Sequence, residues 1–148
     1  MLRYWLSLII FFAGFCYTTL SSGSVLFTYV DIPSLTIVGI LPFIFVSVLF
    51  GFKKMVQAFS IPSKKETTKE ELIEGLQFFK TYGTTIWIAG FISVFIAVVG
   101  MLKNLEDKMM LGPLVALALI SILYSGIFYM IIIIPFTILI NKKGQTNK

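Results

Sequence analysis

The chain has 148 residues, of which 57% are hydrophobic and only 13% are charged. Soluble globular domains have about 45–50% apolar and about 25% charged residues, so this composition excludes an ordinary soluble domain and indicates one membrane domain. The formal net charge is +5, but the basic residues lie at the ends of apolar runs and form no polar basic face, which argues against nucleic-acid binding. The chain has one cysteine and no histidine, which excludes metal sites built from these two residue types.

The first predicted helix begins at Tyr4 and ends near Leu20, inside an apolar block that reaches Val30. Arg3 before the block and the Ser- and Gly-containing stretch 21–24 are also compatible with a cleaved signal peptide. The apolar run is long for the hydrophobic part of a signal peptide, and another apolar block follows at once. We therefore interpret this segment as helix one, with Cys16 as a small buried apolar side chain within it.

Three further blocks contain no charged residue: Ile32 to Phe52, Thr81 to Leu102, and Met109 to Ile140. Each has the ~20 residues that are needed to cross the hydrocarbon core, so the sequence predicts an all-α membrane protein with four transmembrane helices. Pro33 and Pro113 predict the starts of helices two and four, because a proline in the first turn gives up an N–H that has no partner there. Pro135 predicts a kink in the last third of helix four.

The distribution of basic residues predicts the orientation in the membrane. Arg3, six lysines in segment 52–80 and three lysines in the C-terminal tail fall on one side, and Lys103 and Lys108 fall on the other. Lysine and arginine accumulate on the cytoplasmic side of membrane proteins, so both termini are predicted to be cytoplasmic. The predicted organisation is helices one and two in 1–52, a cytoplasmic loop in 53–80, helices three and four in 81–141, and a tail in 142–148.

The cytoplasmic loop contains a predicted amphipathic helix. Thr68 is followed three residues later by Glu71, which is the pattern of a capping box, and apolar residues from Leu72 to Phe79 repeat at helical spacing. Two interpretations remain open. The helix either leads into helix three and packs on its neighbours, or it binds a separate partner.

Helices three and four carry small residues along one side. On helix three these are Gly83, Gly90, Ser93, Ala97 and Gly100, and on helix four they are Ala118, Ser121 and Ser125. Small residues let membrane helices approach closely, so the two stripes predict either tight packing alone or the wall of a narrow lumen between subunits. Ser121 and Ser125 either line that lumen or donate to carbonyl groups of their own helix.

No Asp, Glu, Lys, Arg or His lies inside any predicted span. Proton and ion pathways in membranes normally use such groups, although each costs at least ~2.5 kcal/mol there. A self-contained proton pump is therefore not expected. The chain also has no recognisable catalytic, phosphate-binding or cofactor motif, so neither an enzyme activity nor a cofactor is predicted.

Several motifs resemble those of one family. Residues 31–35 with Ile37-Val38-Gly39, and Gly23 and Leu26 before them, resemble the start of helix two in MotA-type A subunits of flagellar stators, which are relatives of ExbB and TolQ. Residues 101–107, followed by Leu111-Gly112-Pro113, resemble the family's link between helices three and four. The family's helix four is matched by Ala116, Ala118, Leu123, Tyr124 and Pro135. The resemblance covers about three quarters of the chain, and the structural positions that it matches include Asp31, Pro33, Pro113, Tyr124 and Pro135.

The resemblance implies a short form of the A subunit, because segment 52–80 replaces the much longer cytoplasmic domain with which the family contacts the flagellar rotor. It implies a homopentamer in the bacterial inner membrane that surrounds two single-span B subunits, each with an essential intramembrane Asp. Helices three and four would line the central pore. The implied pore-lining candidates are Gly90, Ser93, Ala97, Gly100, Ala118, Ser121, Ile122 and Ser125.

Two positions differ from the family pattern. Trp87 stands where the family has a proline near the start of helix three, and Ile122 stands where it has a threonine in helix four, next to Ser121. The preferred hypothesis is the A subunit of a proton-driven rotary motor. The alternatives are a non-conducting pentameric scaffold for a single-span partner and an unrelated four-helix transporter or assembly factor.

Overall fold

The computed structural model describes residues 2–21, 23, 29–64 and 66–146, and the chain divides into two compact units on either side of the Ile32–Pro33 bond. The first unit contains helix α1, Leu2–Ser21. Helix α2 (Ile32–Phe50) begins at the boundary, and all of it except Ile32 lies in the second unit. That unit also contains α3 (Phe52–Ser60), α4 (Lys69–Lys103) and α5, which begins at Lys108 and ends at Thr146.

Helix α1 ends close to the predicted residue. Gly23 follows it with φ +71° and donates its N–H to the carbonyl of Leu20 at 3.1 Å. Helices commonly end at a glycine of positive φ, because glycine has no Cβ that would clash in this conformation. The N–H groups that follow the last turn can then bond to its free carbonyl groups. Leu26, which belongs to the family resemblance, lies outside the described residues.

The apolar helices have the lengths that membrane crossing requires. Among the described residues, three helices are long and apolar enough to cross a membrane: Ile32–Phe50, Lys69–Lys103 and Lys108–Gln145. The apolar part of α1, Leu6–Ser21, is shorter. The all-helical fold is confirmed, and so are three helices of spanning length at the positions of the second, third and fourth predicted spans. A crossing by α1 stays a prediction.

Helix α2 begins where the proline pattern predicts, with Pro33 in its first turn. The stretch Thr36–Ile40 is a π-helical turn within it. The helix stops at Gly51, whose φ of +85° and ψ of +140° lie in a region that glycine occupies far more readily than other residues. The chain therefore changes direction at Gly51 before α3 begins.

The predicted loop helix and helix three are one continuous helix of 35 residues, α4. The predicted capping box is present, because the Thr68 hydroxyl accepts from the Glu71 N–H at 3.2 Å and the Glu71 carboxylate accepts from the Thr68 N–H at 3.3 Å. No proline follows before the helix ends, so nothing interrupts the helical backbone between loop and span. The boundary that the sequence suggested between 80 and 81 falls inside this helix.

Helix α5 begins earlier than predicted. The start expected near Gly112 and Pro113 is wrong, because the helix begins at Lys108 and Pro113 lies within it. The Asp107 carboxylate accepts from the Met109 N–H at 3.0 Å, which satisfies a free donor of the first turn. This cap starts the helix one turn before the proline.

A π-helical turn lies just before Pro135, where the sequence predicts a kink; the kink itself stays a prediction. Helix α5 consists of Lys108–Phe128, a π turn at Tyr129–Ile133, and Ile134–Thr146. Pro135 is the second residue after the π turn. Because proline cannot donate to the preceding turn, such sites commonly depart from regular α-helical bonding.

A cluster of aromatic rings joins α3 to the first part of α4 and the last part of α5. The Phe59 ring centroid lies 5.9 Å from Phe78, 5.1 Å from Phe79 and 5.1 Å from Phe136. Aromatic pairs at such distances contribute about 0.5–1.5 kcal/mol each beyond their buried area. Phe79 is fully buried and Leu72 nearly so, which favours the interpretation that the loop helix packs on its neighbours.

Hydrogen bonds also join α3, the loop after it, α4 and α5 near this aromatic cluster. The Glu71 carboxylate accepts from Lys64 Nζ at 2.8 Å and from Gln57 Nε2 at 2.6 Å. These hydrogen bonds favour the charged carboxylate and lower the pKa of Glu71, which lies in the first turn of α4 outside the predicted span. Lys143 near the end of α5 donates to the carbonyl groups of Ile61 at 2.7 Å and of Lys64. The loop between α3 and α4 is therefore tied to both long helices.

Candidate functional site

Three buried serines from three different helices meet in one hydrogen-bonded cluster. Ser121 Oγ of α5 lies 2.6 Å from Ser93 Oγ of α4 and 3.0 Å from Ser34 Oγ of α2. All three side chains are fully buried. We call these three residues the serine cluster. Ser93 and Ser121 were site candidates in the sequence, whereas Ser34 was seen only as part of the motif at the start of helix two.

The Ser121 hydroxyl is the centre of the serine cluster. It lies 2.8 Å from the Leu117 carbonyl as well as near the other two hydroxyls. A hydroxyl carries one proton and two acceptor lone pairs, so Ser121 donates to one of these neighbours at a time. It can accept from the Ser34 and Ser93 hydroxyls, whereas the Leu117 carbonyl can only accept. A polar group in the membrane interior has no bulk water to bond. The serine cluster therefore satisfies its members internally and connects α2, α4 and α5.

Ser125 bonds mainly to its own helix. Its hydroxyl donates to the Ser121 carbonyl at 2.9 Å, and the Ile86 carbonyl of α4 lies 3.5 Å away. Ser121 likewise reaches the carbonyl four residues before it. Both serines thus make the own-helix bonds that were one of the two interpretations for them, and Ser121 makes interhelical contacts in addition.

Helices α4 and α5 pack closely at Gly90. A Cβ at this position would overlap Ser125 Oγ and lie 3.2 Å from Ser125 Cβ. The same stripe meets α5 on both sides of this point, where Gly83 would place a Cβ 2.8 Å from the Tyr129 ring and Gly100 would place one 3.0 Å from Leu114. Ordinary contacts of a Cβ atom begin at about 3.4 Å. Only glycine fits these positions without a shift of the neighbouring side chain.

The small-residue stripes of α4 and α5 therefore face each other within one chain. Gly90, Ser93, Ala97, Ala118, Ser121 and Ser125 are all buried, and Gly100 is partly buried. These contacts support the tight-packing interpretation of the stripes. A lumen-lining role for these residues stays a prediction.

Ile122 differs from the other candidates because its side chain is 42% exposed. It borders a small crevice of about 20 Å³, which is also lined by Trp87, Phe91, Gly90 and Ser125. The two positions that depart from the family pattern, Trp87 and Ile122, thus lie beside each other. One of the buried serines, Ser125, is among the residues that line this crevice.

The positions matched structurally to the family lie at helix starts and irregularities. Asp31 precedes α2, and Pro33 and Pro113 occupy the first and second turns of their helices. Tyr124 packs edge-on against Phe128, with ring centroids 6.4 Å apart. Pro135 follows the π turn of α5. Within the described residues, no three Cys, His, Asp or Glu side chains come together as a metal site.

Comparison with known proteins gives a partial match. Over 68 residues the chain is 31% identical to the chemotaxis protein PomA of Vibrio alginolyticus. The match covers 46% of this chain and 27% of PomA, so the chain spans about a quarter of the length of this relative. No family model matches the chain. The similarity to PomA supports the resemblance to MotA-type flagellar stator subunits.

Proposed function

We propose that this protein is an A-type subunit of an ion-driven rotary motor in the bacterial inner membrane. The similarity to PomA over 68 residues carries the proposal. Three apolar helices of membrane-spanning length are consistent with it. In this proposal five copies form a ring around a single-span B-type partner.

The partner supplies the titrating group. No Asp, Glu, Lys, Arg or His lies in the apolar blocks 32–52, 81–102 and 109–140, and a serine hydroxyl does not titrate near pH 7. A proton crossing the ring needs a group that binds and releases it. We assign that role to an intramembrane Asp of the B-type partner, which is also what the family resemblance implies.

The proposed lumen face is the side of α4 and α5 that carries the crevice between Trp87 and Ile122. Gly90 and Ser125 also line this crevice. The remaining pore-lining candidates, which lie deeper, would then support the wall from behind: Ser93, Ala97, Gly100, Ala118 and Ser121. Because Ile122 stands at the family's threonine position, the neighbouring serines would make the polar contact to a passing ion.

Both termini and the loop between α3 and α4 are proposed to be cytoplasmic, because ten of the 12 basic residues would then lie on that side. In a Cys16→Ser background, Lys64→Cys should react with an impermeant maleimide only from the cytoplasm, and Lys108→Cys only from outside. The reverse labelling pattern would contradict both the orientation and the family-like topology.

The ion-transport proposal is tested in liposomes that contain a pH-sensitive dye. A pH jump should produce no proton flux through this chain alone, and a flux through its complex with a B-type partner encoded nearby. Replacing the partner's intramembrane Asp with Asn should abolish the flux without dissociating the complex, because Asn cannot take up and release the proton. A flux through this chain alone would contradict the mechanism of a carboxylate supplied by the partner.

The second candidate is a non-conducting pentameric scaffold. It is favoured by the buried stripes of α4 and α5, whose contacts are already explained by packing within the chain. A pentamer that binds the partner but carries no flux would support the scaffold over the motor. A monomer in native mass spectrometry would contradict both, and would favour the third hypothesis of an unrelated transporter or assembly factor.

A further inference from the structure

The short helix α3 has one apolar side that the rest of the chain covers and one that it leaves exposed. Met55 and Ala58 are buried within the fold. Phe52 and Val56, one turn apart on another side of the helix, are 72% and 50% exposed. Packing of α3 onto its own chain therefore does not account for these two large apolar side chains.

The place of α3 in the chain sets its depth in the membrane. The apolar helix Ile32–Phe50 ends one residue before it, and Gly51 is the only residue between them. A helix that starts directly after a membrane span lies at the boundary between hydrocarbon and headgroups. An exposed apolar pair at that depth faces the outer part of the acyl chains.

The charged residues of α3 differ in their partners. Lys54 forms an ion pair with Glu74 of α4 at 2.5 Å. Lys53 is exposed, and within the part of the chain that the structure describes no carboxylate pairs with it. On the helix it lies beside the side that carries Phe52 and Val56. This arrangement is typical of a lysine whose aliphatic stem lies along an apolar surface while its ammonium group reaches the headgroups.

We propose that α3 is an interfacial helix that binds the phosphate groups of anionic phospholipids through Lys53, with Phe52 and Val56 inserted into the lipid. Charge complementarity selects the occupant, because a cation at the membrane surface is attracted to anionic headgroups. The side chains that insert also fix the depth of the lysine. The proposal depends on the membrane location of α2 and not on ion transport.

The test uses the full chain in vesicles with an environment-sensitive fluorophore on Val56→Cys, in a Cys16→Ser background. The vesicles contain phosphatidylcholine with increasing fractions of phosphatidylglycerol. The emission of the label should shift to the blue as the anionic fraction rises, and lipids brominated near the headgroup should quench it. The same label on the exposed residue Glu70 should keep the emission of a solvated dye.

Lys53→Gln should raise the phosphatidylglycerol fraction at half-response about fivefold, the factor that corresponds to ~1 kcal/mol for one lysine near an anionic surface. Lys108→Gln makes the same charge change on a different helix and should leave the response of the label unchanged. Phe52→Ser should reduce the blue shift at every lipid composition. Added salt should weaken the response of the unsubstituted chain, because it screens charges at the surface.

Three results would overturn the proposal. A blue shift that is independent of phosphatidylglycerol would mean that α3 binds lipid without selecting anionic headgroups. A blue shift without quenching by brominated lipids would mean that a second copy or another protein covers Phe52 and Val56. A solvated label in all vesicles would mean that α3 does not reach the membrane surface.

Discussion

Gly90→Leu is expected to destabilise the fold strongly. A Cβ alone at this position overlaps Ser125 Oγ and lies 3.2 Å from Ser125 Cβ, and leucine adds three further carbon atoms between α4 and α5. Overpacking of a close contact typically costs about 1–3 kcal/mol, and occasionally more. The measurement is the free energy of unfolding in mixed micelles, followed by circular dichroism as the fraction of denaturing detergent rises.

Gly126→Leu is the matched control, because a Cβ at Gly126 of α5 meets nothing within 4 Å. It should leave the free energy of unfolding nearly unchanged. Gly90→Ala should show a smaller loss than Gly90→Leu, and adding Ser125→Gly should recover most of it by removing the overlapping side chain. Equal stability of Gly90→Leu and Gly126→Leu would contradict the close approach of the two helices.

The same pair of variants separates packing from assembly. Because Gly90 contacts α5 of its own chain, Gly90→Leu should lower the stability of the subunit as well as the yield of any pentamer. A variant that keeps the unfolding free energy of the subunit and loses only the pentamer would place Gly90 at a subunit interface instead.

Ser121→Ala is expected to have the second-largest effect, because it removes the centre of the serine cluster. Ser34 and Ser93 then lose the hydroxyl that lies 3.0 Å and 2.6 Å from them. Losing these two interhelical contacts costs about 1–2 kcal/mol in total, given the modest worth of such bonds between membrane helices. The free energy of unfolding in mixed micelles again measures the loss.

Ser125→Ala is the control for this prediction. Ser125 lies one turn further along α5 and bonds mainly to its own helix, so its removal should cost clearly less. The double variant Ser93→Ala, Ser121→Ala should be more stable than Ser121→Ala alone, since it also removes the Ser93 hydroxyl that has lost its contact with Ser121. A double variant that is less stable than the single one would contradict this account.

The sequence by itself determined the positions of the three long apolar helices. Runs of about 20 residues without a charge have one favourable environment, the hydrocarbon core, and there the backbone must satisfy its own hydrogen bonds as a helix. Signals for helix starts were reliable where they depend only on residues close together in the chain. Thr68 and Glu71 cap α4 as their spacing predicts, and Pro33 stands in the first turn of α2.

Two predictions of helix boundaries were incomplete, because the boundaries depend on more than the single signal that was used. Pro113 can begin a helix, but the Asp107 cap begins α5 five residues earlier and the proline is accommodated within it. The loop helix and helix three were treated as separate elements, although no helix breaker stands between them. Their union as α4 follows from the absence of any residue that would stop the helix.

Only the tertiary structure decided what the small-residue stripes face. Spacing along one helix shows which residues share a side, but it carries no information about the helix that lies opposite. The sequence therefore found Ser93 and Ser121 and missed Ser34, which is 87 residues away from Ser121 in the chain. Packing of α2, α4 and α5 brings these hydroxyls together, because buried polar groups in an apolar environment are stable only when they bond to one another.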